Sequence, residues 1–348
     1  MSQPPFFLRN LWYYAMPAAA LKRGAMHSKI LLDEPVLFCR GDDGKVFAIR
    51  DICPHRGMPL SYGSFDGEQV ECCYHGWTFN CEGTCTSIPS LTGHEGVDPE
   101  NIKVRSYPIQ EQQGGIWIFM ADPKIKLDAL PPVPLVPDIP LEQRPNISEV
   151  MHFPCYIDHA VVGLMDPAHG PFVHTSWWWR SRHSIHEKAK PFGPSYLGFT
   201  MQRHKPSKNS FAYKILGGAP ETEIAFQLPG VRIEHIRVGK HVVGNLTCVT
   251  PLNDTETEIT NCIYTSIGWL KLFAPLVRIF ARRFLNQDRA VVIMQQDGLK
   301  YEQNLILIKD ADTQARWYQQ LKNEFVRAQT EGRAFQNPVK DIVLKWRS

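Results

Sequence analysis

Two short cysteine–histidine motifs constrain the folding of this 348-residue chain more than any other feature of its sequence. The first motif is Cys53-Pro-His55, and the second, Cys72-Cys-Tyr-His75, begins after residues 56–71. Together they form the pattern C-x-H…C-x-x-H. Two residues separate Cys72 from His75, as this pattern requires, whereas only one residue separates Cys73 from His75. Two cysteines and two histidines can hold a [2Fe–2S] cluster, with thiolates on one iron and imidazoles on the other, or a structural zinc ion.

Residues around the two motifs favour the cluster. Glycines allow the backbone to approach a cluster closely, and the side chains of Met58 and Trp77 are large enough to shield one side of it. The glycines are Gly57, Gly63, Gly67 and Gly76. The segments CPHRGMPLSYG and CCYHGWTF resemble both boxes of the Rieske domain in full. The resemblance implies a [2Fe–2S] cluster whose ligands are Cys53, His55, Cys72 and His75.

The chain has nine cysteines, so complete internal pairing is impossible. In a reducing compartment, clustered cysteines are more often metal ligands than disulfides. Rieske proteins of respiratory chains carry a disulfide between their ligand loops, but Tyr74 and Met58 occupy that region here. Cys73 is therefore expected to be a small buried side chain or an exposed one without a metal role. The resemblance also implies that the cluster has a reduction potential at the low end of the Rieske range. Cys81 and Cys85 are an alternative metal pair, although they lack nearby histidines.

A second candidate site lies further along the chain, in Asp166-Pro-Ala-His169-Gly-Pro-Phe-Val-His174. On an unbroken helix the two histidines would point about 140° apart. Glycine and proline at positions 170 and 171 predict that the helix ends there, which would fold His174 back towards His169. Two histidines and one carboxylate form the facial triad of non-haem Fe(II) oxygenases, whose open positions admit dioxygen and substrate. The alternative is a pair of packed histidines.

With both motifs present, the chain resembles the oxygenase component of the Rieske non-haem iron oxygenases over nearly its full length. Its pattern is closest to the demethylase-like and the chlorophyllide- and pheophorbide-oxygenase-like members. The resemblance implies a mononuclear Fe(II) bound by His169, His174 and a carboxylate from the C-terminal half. Asp288, in LNQDRAVVIMQQDG, matches the pattern of these members, although Gln287 stands where an acidic residue is common. Asp297 is the rival ligand.

The resemblance also implies a role for Asp166. In this family, the aspartate three residues before the first histidine links the catalytic domain to a Rieske histidine of the neighbouring subunit. Asp166 is therefore predicted to be a catalytic residue that serves electron delivery, with His75 of the neighbour as its partner. The same resemblance implies a head-to-tail homotrimer. An asparagine often precedes this aspartate in the family, whereas Val162 and Gly163 stand here, so that auxiliary contact is not expected.

The order of the predicted elements indicates an α+β protein. The predicted domains are an all-β Rieske domain with an N-terminal extension at 1–125, a proline-rich linker at 126–145, and a helix-grip catalytic domain of antiparallel sheet plus helices at 146–348. Six prolines in the segment DPKIKLDALPPVPLVPDIP favour an extended linker.

Within the second domain, helical patterns are predicted at about 155–175, 269–307 and 311–330, and strands across about 195–266. The basic run WLKLFAPLVRIFARRFL is expected to be a core helix with solvated arginines rather than a membrane-surface helix. Trp177, Trp178 and Trp179 follow the second histidine, where one of them could line an aromatic substrate site or pack in the core or at a subunit contact.

Composition excludes several classes of function. A net charge of +3 is too small and too scattered for nucleic-acid binding. No apolar run reaches the roughly 18 residues that span a membrane, and MSQPPFFLRNLWYYAMP lacks the features of a signal peptide, so we expect a cytoplasmic protein. No G-x-G-x-x-G fingerprint follows a strand, and electrons are therefore expected from a separate reductase or ferredoxin.

The predicted function is that of a Rieske-type oxygenase, which uses O2 to hydroxylate or demethylate a small aromatic or heterocyclic substrate. Ring cis-dihydroxylation is the alternative reaction. A Rieske electron-transfer protein with a non-catalytic binding domain is the alternative class. Metal analysis separates these classes, because the enzyme needs a mononuclear iron in addition to the two irons of the cluster.

Overall fold

The computed structural model describes residues 6–123, 129–174, 183, 185–205, 220–268, 273–301 and 305–348. They divide into two compact units, one formed by Arg9–Val133 and the other by Met1–Leu8 together with Pro134–Ser348. The first unit consists of small sheets and the second of one large antiparallel sheet with helices, so the predicted α+β class is confirmed. None of the helices in these residues is long and apolar enough to cross a membrane.

The unit Arg9–Val133 contains three small antiparallel sheets. Its strands are β1 Leu11–Pro17, β2 Ala25–Leu31, β3 Glu34–Arg40, β4 Val46–Arg50, β5 Ser64–Phe65, β6 Val70–Glu71, β7 Thr78–Phe79, β8 Cys85–Ser87, β9 Ser106–Tyr107, β10 Ile109–Gln112 and β11 Gly115–Met120. Short 3-10 helices span Ala18–Ala20, Leu60–Tyr62 and Pro99–Asn101. The sheet orders are β1-β11-β10, β2-β3-β4-β9 and β5-β6-β7-β8. The two cysteine–histidine motifs lie in the loops β4–β5 and β6–β7.

A hydrophobic core anchors both of these loops through their cysteines. Cys53 and Cys72 are buried in it, together with Leu37, Cys39, Ile49, Leu60, Val70, Phe79, Cys85, Ile88 and Val104. Burial raises the pKa of the Cys39 and Cys85 thiols, which makes both of them inert apolar side chains. Cys73 and Cys81 are exposed, and none of the nine cysteines, each of which lies within the described residues, forms a disulfide. Of the two alternatives predicted for Cys73, a small buried side chain or an exposed one without a metal role, the structure shows the exposed side chain.

The second unit is organised around one eight-stranded sheet. Its strands are β12 Ile147–Phe153, β13 Glu187–Ser195, β14 Gly198–His204, β15 Glu221–Gln227, β16 Val231–Val238, β17 His241–Pro251, β18 Thr257–Thr265 and β19 Ile342–Arg347. The order is β12-β18-β17-β16-β15-β14-β13-β19, with antiparallel neighbours throughout. The helices in the described part of this unit are α1 Ile157–Met165, α2 Gly170–Val173, α3 Ala274–Leu299 and α4 Thr313–Thr330.

Helices α1 and α4 cover one face of this sheet. The ring of Phe226 on β15 lies 5.8 Å from that of Tyr318 on α4, edge to face. A Cβ added at Gly230 would lie 3.0 Å from Val249 of β17 and 3.1 Å from Val161 of α1. Glycine at this position therefore lets α1 approach the sheet closely.

A buried ion pair also joins α1 to α4. Lys322 Nζ donates to both carboxylate oxygens of Asp158, at 2.6 and 2.8 Å, and the hydroxyl of Tyr318 donates to the same carboxylate at 2.8 Å. The Lys322 side chain is 4% exposed and that of Asp158 is 21% exposed, so the cation is shielded from water and the carboxylate is shielded in part. Helix α1 leads into the second motif, and its position is thus fixed by charge as well as by packing.

The helix break lies before both histidines, and not between them as predicted. Helix α1 ends at Met165, and Asp166 has an extended conformation with φ −62° and ψ 118°. Helix α2 then begins at Gly170 with Pro171 in its first turn. The prediction that the helix ends at Gly170-Pro171 is therefore wrong. Pro167 forces the preceding residue out of the helical region, whereas a proline in the first helical turn removes no hydrogen bond.

Helix α3 differs from the predicted core helix. Leu285 and Val292 are its buried residues, whereas Leu276, Ile279 and Met294 are 49%, 64% and 63% exposed. The second motif is approached by the narrow face of α3 that includes the buried residues Leu285 and Val292.

Candidate metal centres

The two cysteine–histidine loops have the same backbone structure. In each loop, the cysteine N–H donates to the carbonyl five residues later, and the glycine four residues later donates back to the cysteine carbonyl, at 2.8–3.0 Å. The residues are Cys53, Gly57 and Met58 in the first loop and Cys72, Gly76 and Trp77 in the second. Gly57 and Gly76 have φ of +70° and +68°, which side chains disfavour. The repeated geometry brings one cysteine and one histidine from each loop to a common place.

Burial separates the sulfur donors of this site from the nitrogen donors. Cys53 and Cys72 are 1% and 2% exposed, whereas His55 and His75 are exposed, with ring centroids 4.4 Å apart. Burial, with a further contribution from the adjacent Cys72 thiol, raises the pKa of the Cys53 thiol to about 11. A metal cation would relieve the cost of ionising these thiols. The donor set fits a [2Fe–2S] cluster with its thiolate side inward and its imidazole side towards solvent.

Aromatic rings hold the two imidazoles of this site in place. Trp77 stacks on His55 with 4.6 Å between centroids and 3° between planes, and Tyr74 lies 4.0 Å from the ring of His75. The indole Nε1 of Trp77 is buried and has no hydrogen-bond partner in the part of the chain that the structure describes. Trp77 therefore acts on His55 through its ring face.

The second motif forms a compact group of three potential metal ligands. His169 Nε2 lies 3.1 Å from His174 Nε2, and Asp288 Oδ1 lies 3.6 and 3.4 Å from these two nitrogens. One ligand atom from each residue thus lies within 4.8 Å of the others. Two imidazoles and one carboxylate fit a mononuclear iron with open positions.

Helix α3 supplies the carboxylate and also orients His174. The amide oxygen of Gln287 lies 3.2 Å from His174 Nδ1, and the ring of Phe284 stacks on the imidazole at 3.5 Å between centroids. Phe284, Gln287 and Asp288 are spaced i, i+3 and i+4, so they share one helical face. With Nδ1–H directed at the amide oxygen, Nε2 is left as the metal-binding nitrogen.

Asp166 lies beside the corresponding nitrogen of His169, at ion-pair rather than hydrogen-bond distance. Its Oδ2 lies 3.6 Å from His169 Nδ1, and its Oδ1 accepts a hydrogen bond of 2.7 Å from the Ala168 N–H. Burial works against the ionised form of Asp166, but the His169 imidazole and the Ala168 N–H outweigh it and lower its pKa. Burial likewise lowers the pKa of His169, but Asp166 and Asp288 outweigh this effect and raise it. Asp166 therefore supports His169 from behind and remains about one-third exposed.

The two rival carboxylates have very different surroundings. Burial raises the pKa of Asp288 to about 6, although the charges of His169 and Arg232 oppose this effect. Asp297 is 76% exposed and pairs with Lys300 at 2.6 Å. The structure therefore places Asp288, and not Asp297, beside the two histidines.

Three side chains that act on the triad were not predicted to be site residues, namely Phe284, Gln287 and Arg232. Phe284 and Gln287 could have been found from their helical spacing to Asp288, whereas nothing in the local sequence of Arg232 indicates its position. Trp177, Trp178 and Trp179, considered above for a substrate site, lie outside the described residues.

Comparison with known proteins agrees with this architecture. Residues 11–108 match the family profile of the Rieske [2Fe-2S] domain. Chlorophyllide a oxygenase of Arabidopsis thaliana is 34% identical over 324 residues, which are 85% of this chain and 54% of that protein. The oxygenase component of dicamba O-demethylase from Stenotrophomonas maltophilia is 34% identical over 171 residues, 48% of either chain. The chain thus spans about half the length of the curated relatives that it matches.

The fold agrees with that of a solved structure over almost the whole chain. The crystal structure of dicamba monooxygenase bound to dicamba superposes with a TM-score of 0.70 and 21% identity, and the match covers 94% of this chain and 99% of that chain. The cofactors of this chain are accordingly a [2Fe–2S] cluster and a mononuclear iron. The chain belongs to the Rieske oxygenases.

Proposed function

We propose that this chain is the oxygenase component of a Rieske non-haem iron system that hydroxylates or demethylates a small aromatic or heterocyclic substrate with O2. The observation that carries the proposal is the group His169, His174 and Asp288 within 4.8 Å, in a chain that also has a Rieske domain. The names of two similar proteins, dicamba O-demethylase and toluene-4-sulfonate monooxygenase, support single oxygenation over ring cis-dihydroxylation.

The proposed ligands divide into two sets. Those of the cluster are Cys53, His55, Cys72 and His75, and those of the mononuclear iron are His169, His174 and Asp288. When bound, the cluster supplies single electrons and the iron supplies an oxygen-activating centre with open positions for O2 and substrate. The chain itself holds these ligands in fixed orientations, because the partners of both iron-site imidazoles are already in contact with them.

Asp166 is proposed to serve electron delivery rather than iron binding. Its carboxylate contacts His169 on one side and is 34% exposed, which leaves it accessible to a second copy of the chain. His75, which is exposed, is the proposed partner from the neighbouring subunit of a homotrimer. Electrons then reach the cluster from a separate reductase or ferredoxin, since Rieske oxygenase components take their electrons from partner proteins.

Metal analysis and single-turnover chemistry test this function together. The iron-loaded protein should contain a mononuclear iron besides the two irons of its cluster, and the pre-reduced protein should form product from a panel of aromatic acids, alkaloids and tetrapyrroles. Asp288→Ala should lose the mononuclear iron and product formation but keep the visible spectrum of the cluster. Asp297→Ala is the matched control and should keep both. A wild-type protein that holds only the cluster iron would instead be an electron carrier with a binding domain.

A further inference from the structure

The Nδ1 atoms of the two triad histidines face neighbours of different charge. His174 Nδ1 lies 3.2 Å from the amide oxygen of Gln287, which is neutral. His169 Nδ1 lies 3.6 Å from a carboxylate oxygen of Asp166, which is anionic. The neighbour of His174 therefore accepts an N–H without adding a charge to the site.

Packing makes the orientation of His174 dependent on this amide. The side chain is 2% exposed, so bulk water does not reach its ring. Phe284 stacks on the ring at 3.5 Å between centroids and 18° between planes, which fixes the plane of the imidazole. A half-turn of the ring keeps this plane but replaces Nε2 by a carbon atom. The contact at Nδ1 thus selects the orientation in which Nε2 lies 3.4 Å from Asp288 Oδ1.

The amide has to present its oxygen, and not its NH2 group, to His174. With the NH2 group there, Nδ1 would be the acceptor and Nε2 would carry the proton of the neutral ring, which would prevent Nε2 from binding a metal. A metal ion at the triad therefore requires Nδ1–H to donate to Oε1 of Gln287. Glutamate at this position would offer the same acceptor with a full negative charge, and leucine would offer none.

Charge balance separates the amide from a carboxylate at position 287. Asp288 supplies one negative charge to the triad, and Asp166 supplies another beside His169. Two carboxylates balance a divalent ion, whereas a third carboxylate would balance a trivalent ion. Charges interact more strongly in a buried site than in water, so the group at position 287 affects which oxidation state of a bound iron is preferred.

We propose that Gln287 is a positioning residue that holds His174 through a neutral acceptor and thereby favours the ferrous state of the mononuclear iron. This inference rests on the proposed function and concerns the regulation of the same site. Ferrous iron is the form that such triads use with O2. Ferric iron takes up one electron to become ferrous, and the reduced cluster supplies single electrons.

The reduction potential and the metal affinity of the full chain, with its cluster in place, test the proposal. An EPR-monitored redox titration follows the ferric signal of the mononuclear iron, which differs from the signal of the reduced cluster. Gln287→Glu should keep the iron and should shift the preference towards the ferric ion by about tenfold, which lowers the one-electron potential by about 59 mV. Gln287→Leu should weaken Fe(II) binding by about tenfold to a hundredfold, because the acceptor that orients His174 is lost.

Gln295→Glu and Gln295→Leu are the matched controls. Gln295 is exposed on the same helix and lies about 12 Å further along its axis. Both variants should stay within about twofold of wild type in Fe(II) affinity and in the ferric preference, since salt screens an exposed charge at this distance. The visible spectrum of the cluster checks the fold of every variant.

Three results would overturn the proposal: Gln287→Glu leaves the potential unchanged or raises it, Gln287→Leu binds Fe(II) as wild type does, or the Gln295 variants shift both quantities equally. If Gln287→Leu loses its cluster and is misfolded, the potential of Gln287→Glu decides. Product formation by wild type, with a potential that does not depend on position 287, removes this inference and leaves the proposed function intact. A wild-type chain without mononuclear iron removes both.

Discussion

Replacing Asp288 by asparagine tests whether the triad is organised around a cation. Burial raises the pKa of this carboxyl from 3.8 to about 6 when no metal is bound. A tenfold change in an ionisation constant corresponds to about 1.4 kcal/mol, so the ionised carboxylate costs the folded protein about 3 kcal/mol. The pKa is higher in the folded than in the unfolded state, and the folded state therefore holds the proton longer. The resulting loss of stability begins near pH 4, grows with rising pH and is complete above about pH 6.

Chemical unfolding of the metal-depleted protein measures this cost. At pH 7.5, Asp288→Asn should be more stable than wild type by about 2 to 3 kcal/mol, because the amide needs no ionisation. At pH 4.5 the difference should fall to about 1 kcal/mol, and near pH 3 it should nearly vanish. Asp297→Asn is the control, and its effect should stay within about 0.5 kcal/mol, since that carboxylate is exposed.

Adding Fe(II) should reverse the order of stability. Wild type gains stability from the bound metal by mass action, whereas Asp288→Asn lacks the anionic ligand and gains less. If metal-depleted Asp288→Asn is no more stable than wild type at pH 7.5, burial does not penalise this carboxylate and the reasoning is wrong.

Three further substitutions test other parts of the molecule. Cys72→Ser should abolish the visible and EPR signals of the cluster and Cys73→Ser should keep them; the opposite result would reassign the ligand. Asp166→Asn should keep both metal centres and the oligomer, but in a single-turnover experiment the reduced cluster should no longer be reoxidised with product formation; wild-type rates would exclude the role in electron delivery. Lys322→Met should lower the free energy of unfolding by about 1 to 3 kcal/mol because it leaves the partly buried carboxylate of Asp158 without its cation, whereas Lys300→Met, in an exposed pair, should cost less than about 1 kcal/mol.

The metal-binding loops were the most predictable part of the molecule. Their ligands are close in sequence, and the same spacing between cysteine and glycine produces the same backbone hydrogen bonds in both loops. The large antiparallel sheet was also predictable in outline, because alternating segments such as HVVGNLTCVTP form strands. Both features depend on residues within a few positions of one another, which is the range over which sequence patterns carry information.

The geometry of the iron site was less predictable because two candidate helix breaks, Pro167 and Gly170-Pro171, lie within one helical turn of each other. Gly170 and Pro171 together suggest a helix end, yet Pro167 has already ended the helix one turn earlier. The chain then begins a new helix, and a proline is tolerated there. Local sequence rules identify every residue that can end a helix, but they do not determine at which of two nearby candidates the helix ends. The contact of Gln287 with His174 depends on this outcome and on packing across more than a hundred residues.

Polar side chains on the helix-covered face of the large sheet show a second limit of pattern reading. In VRIEHIRV, charged and apolar residues alternate, and the usual interpretation places the charged residues in water. Alternation defines the two faces of a strand, but it does not determine which face the helices cover. Here Arg232 and Glu234 lie on the helix-covered side and His235 on the other. A partly buried polar network costs stability unless it is satisfied, and here Asn261 donates to Asn245 and Thr247, while Asn245 and Arg232 both donate to Glu234. The same side chains that make the strand look solvent-facing in the sequence thus satisfy one another on the helix-covered face of the sheet.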